Sequence, residues 1–278
     1  MKWFKRILLG ILIFPIITVI VICIIYRPLY HGLRYTCGVQ LLWFGHEEQG
    51  NRMIDASLKS MKKNATDEMW RVASIQNTKN GNYDEAIQYL DEAVKLNPKE
   101  VSGYYGWVLL HYYRDYKKAL PLLHNYNSYT PSFVDYVGDD NIYYAIGICH
   151  KQLGNLDSAL IYLNKALDDE LSQHDESWIN HRIFFHKARV HHLRNELDSA
   201  IIYYDKTLSV WDSASESYFF KGLLFNEIDQ LDSSCLYFNK AYDLVRKGYK
   251  TEEGYVLEFD EIFKEQVLDT INFYCKNL

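Results

Sequence analysis

One short phrase keeps returning along this 278-residue chain. It reads Tyr83-Asp84-Glu85-Ala86, then Leu156-Asp157-Ser158-Ala159, Leu197-Asp198-Ser199-Ala200 and Leu231-Asp232-Ser233-Ser234. A recurring unit of this size cannot bury its apolar side alone, so recurrence commits the chain to stacked copies rather than one closed core. The clearest copy runs 34 residues, from Asp67 to Glu100. Trp70 and Ala73 open an apolar stripe at helical spacing, and Gly81-Asn82 interrupt it. Leu90 and Ala93 continue a second stripe, and Pro98 closes the copy. The pattern predicts two helices joined by a tight turn. With only 14 Gly and 5 Pro in the chain, long helices and short turns are expected throughout. In each phrase the Asp stands where an N-cap is expected, able to accept free backbone N–H groups at the positive end of the helix dipole. Small residues (Ala86, Ala119, Ala159, Ala200, Ser234) fall where paired helices must approach closely.

These residues resemble the tetratricopeptide repeat family, in which each copy is a helix–turn–helix and copies stack into a right-handed α-solenoid. The resemblance implies an all-α fold with five repeats near 67–100, 101–133, 140–173, 181–214 and 215–248. Its small residue midway along the first helix is matched by Ser74, Gly147, Ala188 and Gly222, but not by Val108. Its second small residue is matched acceptably by Ala93, Ala166, Thr207 and Ala241, but not by Tyr126. The second copy is the most irregular: it lacks the turn glycine, is one residue short between helices, and carries Pro121 inside its second helix, where proline bends or breaks a helix. Extra segments stand at Ser132–Asp139 and Leu171–Asn180. Phe259, Phe263, Val267, Ile271 and Tyr274 share one helical face, which predicts a capping helix within 249–278.

The resemblance also implies a groove lined by the first helices that receives a protein or peptide segment. The inward positions would be Arg71, Tyr105, Tyr144, Phe185 and Phe219, then Ile75, Leu109, Ile148, Arg189 and Leu223 one turn on. A third row adds Tyr112, Lys151 and His192, with Thr78 and Asn226. Rings give large contact area at low entropy cost, and a contiguous apolar surface marks an interaction site. The Lys/Asn clamp by which some family members hold acidic C-termini is absent, since Arg71, Ile75, Tyr105 and Leu109 occupy its positions.

The N-terminus has a different character. After a short basic stretch (1–6), Ile7 to Tyr26 carries no charge and would span about 30 Å as a helix, the thickness of a bilayer core. It exceeds a usual signal-peptide core and lacks small residues at its end, so an uncleaved transmembrane signal anchor is expected. Lys2, Lys5 and Arg6 precede the span, against Arg27 and Arg34 after it. That bias favours a cytoplasmic N-terminus and an extracytoplasmic repeat region, periplasmic in a bacterium, with a cytosolic repeat region as the alternative. Residues 27–66 then read as a linker or a degenerate helix pair, Leu33–His46 and Asn51–Lys63. Beyond residue 34 the chain holds 25 basic and 36 acidic residues, which disfavours nucleic acid as a partner. Cys37, Cys149, Cys235 and Cys275 form no CxxC pair, so separate thiols are favoured over a disulfide framework.

No phosphate loop, nucleophile elbow or His-Glu-x-x-His run is present, so no enzyme activity, cofactor or metal is expected. His181, His186, His191 and His192 are poorly spaced for a helical metal site, and His111, His150 and His191 share one slot where the family packs a ring between helices. The expected function is a membrane-tethered scaffold that binds a protein segment in its groove. The alternatives are a purely structural tether or envelope-assembly subunit with no groove ligand and, less favoured, a ligand sensor or enzyme.

Overall fold

The computed structural model describes residues 26–27, 29–61, 64–251 and 257–275. The expected membrane span, 7–26, lies outside them except for Tyr26; among the described residues no helix is long and apolar enough to cross a membrane. The chain divides into two compact units, Met1–Val101 and Ser102–Leu278.

In the N-terminal unit, helix α1 (29–43) pairs with α2 (Glu47–Met61), and α3 (Asp67–Asn80) pairs with α4 (Tyr83–Leu96). The first pair closes on two glycines: a Cβ on Gly38 would lie 2.9 Å from the Gly50 carbonyl oxygen. Tyr35, Leu42, Ile54, Leu58, Ala73 and Tyr89 share one core, and Tyr35 donates from its hydroxyl to the Met69 carbonyl at 2.5 Å. Residues 29–61 therefore form a helical hairpin built like a repeat.

The C-terminal unit begins within α5 (Pro98–His111), which pairs with α6 (Tyr116–Ser128). Three hairpins follow: α7 (Ile142–Gln152) with α8 (Leu156–Gln173), α9 (His181–Leu193) with α10 (Leu197–Val210), and α11 (Ser215–Glu227) with α12 (Leu231–Arg246). Each pair is joined by a turn containing a left-handed residue: Arg114 (φ 55), Gly154 (77), Asn195 (60) and Asp229 (58). The missing glycine of the second repeat is thus replaced by Arg114 in a conformation that side chains adopt at a cost. Pro121 does not end α6; it and Lys117 are exposed, so the carbonyl it leaves unbonded faces water.

Glycine sets the helix crossings. A Cβ on Gly147 would meet Leu163 at 3.0 Å, and one on Gly222 would meet Phe238 at 2.7 Å. Gly222→Ala is accordingly expected to overpack the fully buried Phe238 and cost about 1–3 kcal/mol, read as a lower denaturant midpoint. In the second repeat the equivalent close contact is Gly106 against Leu123 (2.8 Å), two positions before Val108. The first helix of that repeat is therefore shifted by two residues from the expected register.

The phrase aspartates are not caps. Asn82, Asn155, Glu196 and Gln230 occupy the N-cap positions without side-chain cap bonds, and Asp84, Asp157, Asp198 and Asp232 follow two residues later, in the first turn. Their contribution is charge near the helix dipole. Of the two extra segments, the first makes a small antiparallel ribbon, β1 (Tyr136–Val137) with β2 (Asp140–Asn141), turning at Gly138 against Trp107. The second lengthens α8 and ends in a 3-10 turn, Glu176–Trp178, with Trp178 exposed.

The C-terminal helix is shorter than its apolar face predicts. Among the described residues of 249–278 only α13 (Lys264–Tyr274) is helical, and Phe259 and Phe263 precede it in irregular backbone. Val267, Ile271 and Tyr274 pack on Phe219, Phe238 and Ala241. Contrary to the expectation of separate thiols, Cys275 is disulfide-bonded to Cys235 of α12, while Cys37 and Cys149 are free.

Candidate functional site

In the C-terminal unit, the face formed by the first helices is covered by the chain itself. After α12, the backbone turns back along the unit: Ser215 donates to the Tyr249 carbonyl (2.8 Å), Trp211 Nε1 to that of Lys250 (3.2 Å), and the Thr251 N–H to Glu216 (2.5 Å). Residues Leu257–Phe263 then form a strap across the expected groove. Phe259 is 5% exposed, with the Arg114 guanidinium 4.0 Å above its ring and the rings of His111, Tyr116 and His186 around it at 5.4–6.4 Å. Burying such a ring is worth about 1.5–3 kcal/mol. Further along, Ile262 is buried in the core that α11, α12 and α13 share.

Asp260 is the strap's polar anchor. Its carboxylate pairs with Lys151 of α7 and with Arg189 of α9 (3.3 Å), while His186 Nδ1 lies 3.7 Å away. Asp260 adopts a left-handed backbone (φ 61), which aspartate tolerates better than most residues and which aims ring and carboxylate at one wall. Burial alone would raise this carboxyl's pKa, but Lys151, Arg189 and His186 together hold it far below the usual carboxylate range.

A second buried ion cluster stands beside the first. Asp140 accepts from His111 Nε2 (2.7 Å) and Arg182 Nη1 (2.9 Å), and the Arg182 guanidinium lies 4.6 Å over the Tyr144 ring. His111 thus connects the two clusters, touching Asp140 at its edge and Phe259 through its ring.

The expected groove residues do not make an open surface. Tyr105, Leu109, Tyr144, Ile148, Phe185 and Phe219 are 3% exposed or less, because they pack between helices or beneath the strap. Leu223 joins the core around Phe238, and His192 is held by Tyr204 and Glu227. Lys151 and Arg189 do face the groove, but they hold the strap. Tyr112 lies against Trp107, and the α5 ring that meets Phe259 is His111. In the N-terminal unit Arg71 is paired with Glu68 and Ile75 is half-buried. His150 and His191 stack on Tyr162 and Tyr203, whereas His111 does not share that environment. Sequence reasoning leaves out Asp260, Arg114 and Asp140, and it places Phe259 on a capping helix rather than over the groove. Among the described residues no group of three His, Cys, Asp or Glu could hold a metal ion.

His186 is buried and accepts from Lys151 Nζ at 3.0 Å, and burial followed by the Lys151 charge holds its pKa well below the ordinary histidine value. Arg182 and Arg189 push the same way and Asp260 opposes them. A histidine held neutral in the fold gains a proton on unfolding, so stability falls as pH drops below about 6.5. Asp260 adds a loss of the same sign below about pH 4, where its unfolded carboxyl protonates. Urea midpoints between pH 8 and 5 should decline, and His186→Gln should make that decline shallower. An unchanged slope would mean the imidazole is not the group responsible.

The tetratricopeptide repeat sequence pattern matches residues 70–100 and 140–168. Solved structures of this fold superpose on most of the chain. PilW, a widely conserved type IV pilus biogenesis factor, is 17% identical with TM-score 0.57, covering 77% of this chain and 93% of its own. A tetratricopeptide repeat protein from Parabacteroides merdae is 15% identical with TM-score 0.52, over 78% and 79%. Residues 70–100 and 140–168 are tetratricopeptide repeats, and the hairpins around them share the fold. PilF of Pseudomonas aeruginosa is also similar, at 16% identity and TM-score 0.53 over 78% of this chain and 92% of that one. No curated protein matches the sequence. Identities this low establish shared repeat architecture and nothing about partners. Tetratricopeptide repeats generally serve protein–protein interaction, and the face that does so elsewhere is here the face under the strap.

Proposed function

We propose that this protein is a membrane-tethered interaction scaffold, anchored through residues 7–26, whose C-terminal repeats hold a polypeptide segment against their first helices. The observation that carries this reading is the strap. Seven residues of irregular chain, Leu257–Phe263, lie across α5, α7 and α9, held by a buried ring and a buried carboxylate. A surface that lodges one extended segment in this way has the chemistry to lodge another. The Cys235–Cys275 disulfide supports an oxidising compartment, as does the distribution of basic residues around 7–26. PilW and PilF share the fold, and PilW's description as a pilus biogenesis factor is compatible with assembly work at an envelope.

The filled groove favours one second reading, a structural tether that binds nothing there. Photocrosslinking separates the two. Full-length protein carrying a photoreactive side chain at Trp178 or Leu257, both exposed, is irradiated in its native membrane and its products identified by mass spectrometry. A discrete crosslinked protein, lost when residues 7–26 are deleted, is the expected result. Recovery of the chain in the soluble fraction with no crosslinked species would overturn the scaffold reading.

A further inference from the structure

We infer that the strap is an internal stand-in for a partner, and that the groove accepts from another protein a segment presenting an aromatic ring followed by a carboxylate. The inference rests on the scaffold reading and adds to it the partner's chemistry and a gate. The groove wall is cationic and ring-rich at one place. Arg114 and His111 face Phe259, while Lys151 and Arg189 face Asp260. Each of these groups comes from a repeat helix or its turn, and none comes from the strap's own neighbourhood in sequence. Lys151 and Asp260 are 109 residues apart. The wall is therefore a complete receptor without the strap, specific for a negative charge next to a ring.

The strap is also an imperfect occupant of that receptor. Asp260 holds both cations from a left-handed backbone, which costs an aspartate less than most residues but more than an extended or helical one. Its outermost residues Leu257 and Phe263 are 62% and 48% exposed, while Ile262 is buried and Glu261 pairs with Lys250. A segment of irregular backbone held by a few side chains, with no backbone ladder to the helices, is one that local opening can lift while the helices beneath it stay folded.

The test uses full-length protein in detergent and a fluorescent synthetic peptide, Leu-Glu-Phe-Asp-Glu-Ile-Phe, the sequence of the strap. The double variant Phe259→Ala/Asp260→Ala should bind the peptide at least tenfold more tightly than the unaltered protein. A peptide with alanine for the phenylalanine and lysine for the aspartate should not bind. Adding Arg189→Met to the double variant should abolish binding. Equal, or no, binding by the unaltered protein and a folded double variant would overturn the inference. If the double variant does not fold, hydrogen exchange of the unaltered protein decides. Amides of 257–263 exchanging faster than those of α12 and α13 support a liftable strap, whereas exchange only with global unfolding makes it permanent core. Membrane crosslinks obtained together with a negative peptide result would leave the scaffold reading standing and remove this one.

Discussion

Asp140→Ala is expected to be the most damaging single substitution in the C-terminal unit. Asp140 is 4% exposed and satisfies two cation-capable groups at once, His111 and Arg182, whose side chains are 8% and 12% exposed. Truncating it removes the Asp140 carboxylate from both buried groups, and breaking a buried pair from one side costs about 3–5 kcal/mol. For a unit of this size that corresponds to a fall in Tm of roughly 10 °C. Asp140→Asn keeps the shape and one acceptor oxygen, and is expected to lose less. The effect should also reach the strap, because Asp140 fixes the ring that packs on Phe259. Thermal melts of the two variants check the magnitude, and an Asp140→Ala protein with unaltered Tm would show that the cluster is not a structural anchor.

The second large effect is covalent. The Cys235–Cys275 bond joins residues 40 apart in sequence and pins α13 to α12. Closing a loop of that length restricts the unfolded chain by an amount worth about 2–4 kcal/mol. Cys235→Ser/Cys275→Ser, or the native protein in reductant, should therefore melt roughly 5–15 °C lower. Reductant should leave the melting of the double variant unchanged, which separates loss of the bond from other thiol effects. Equal melting of oxidised and reduced protein would refute the assignment. α13 retains its apolar contacts with Phe238 and Val267 stays buried, so the reduced helix is expected to remain docked but less strongly.

The hairpins were legible because their signals are local. A small residue such as Gly147 or Gly222 permits a helix crossing a dozen residues downstream, and a Gly or Asn allows the turn between. Where the local signal was displaced, the reading moved with it. The repeat pattern assigns Val108 to a slot that Gly106 fills, which displaces the inward row of α5 by two. The second repeat uses Arg114 for its turn, a residue with no left-handed preference to flag it. The strap had no local signature. Phe259, Phe263 and Val267 share a face at helical spacing, so they read as helix; what determines their backbone is distant, in Lys151, Arg189 and Arg114. The groove residues were identified as apolar and inward, but sequence periodicity does not reveal whether an inward face meets solvent or the chain's own tail. The disulfide was likewise outside local pattern, since its pairing follows from where α13 docks.

The loop closed by Cys235 and Cys275 contains Phe259 and Asp260, which makes the strap a leashed competitor. Lifted from its seat, it cannot diffuse away, and short tethers hold a segment at an effective concentration of about millimolar. A rival arriving from bulk solution meets a receptor whose apparent affinity is scaled down by the small fraction of time the seat is empty. Dilute strangers are thereby screened out. Occupancy rises only where a rival is itself concentrated, as when both molecules are confined to the same sheet of lipid.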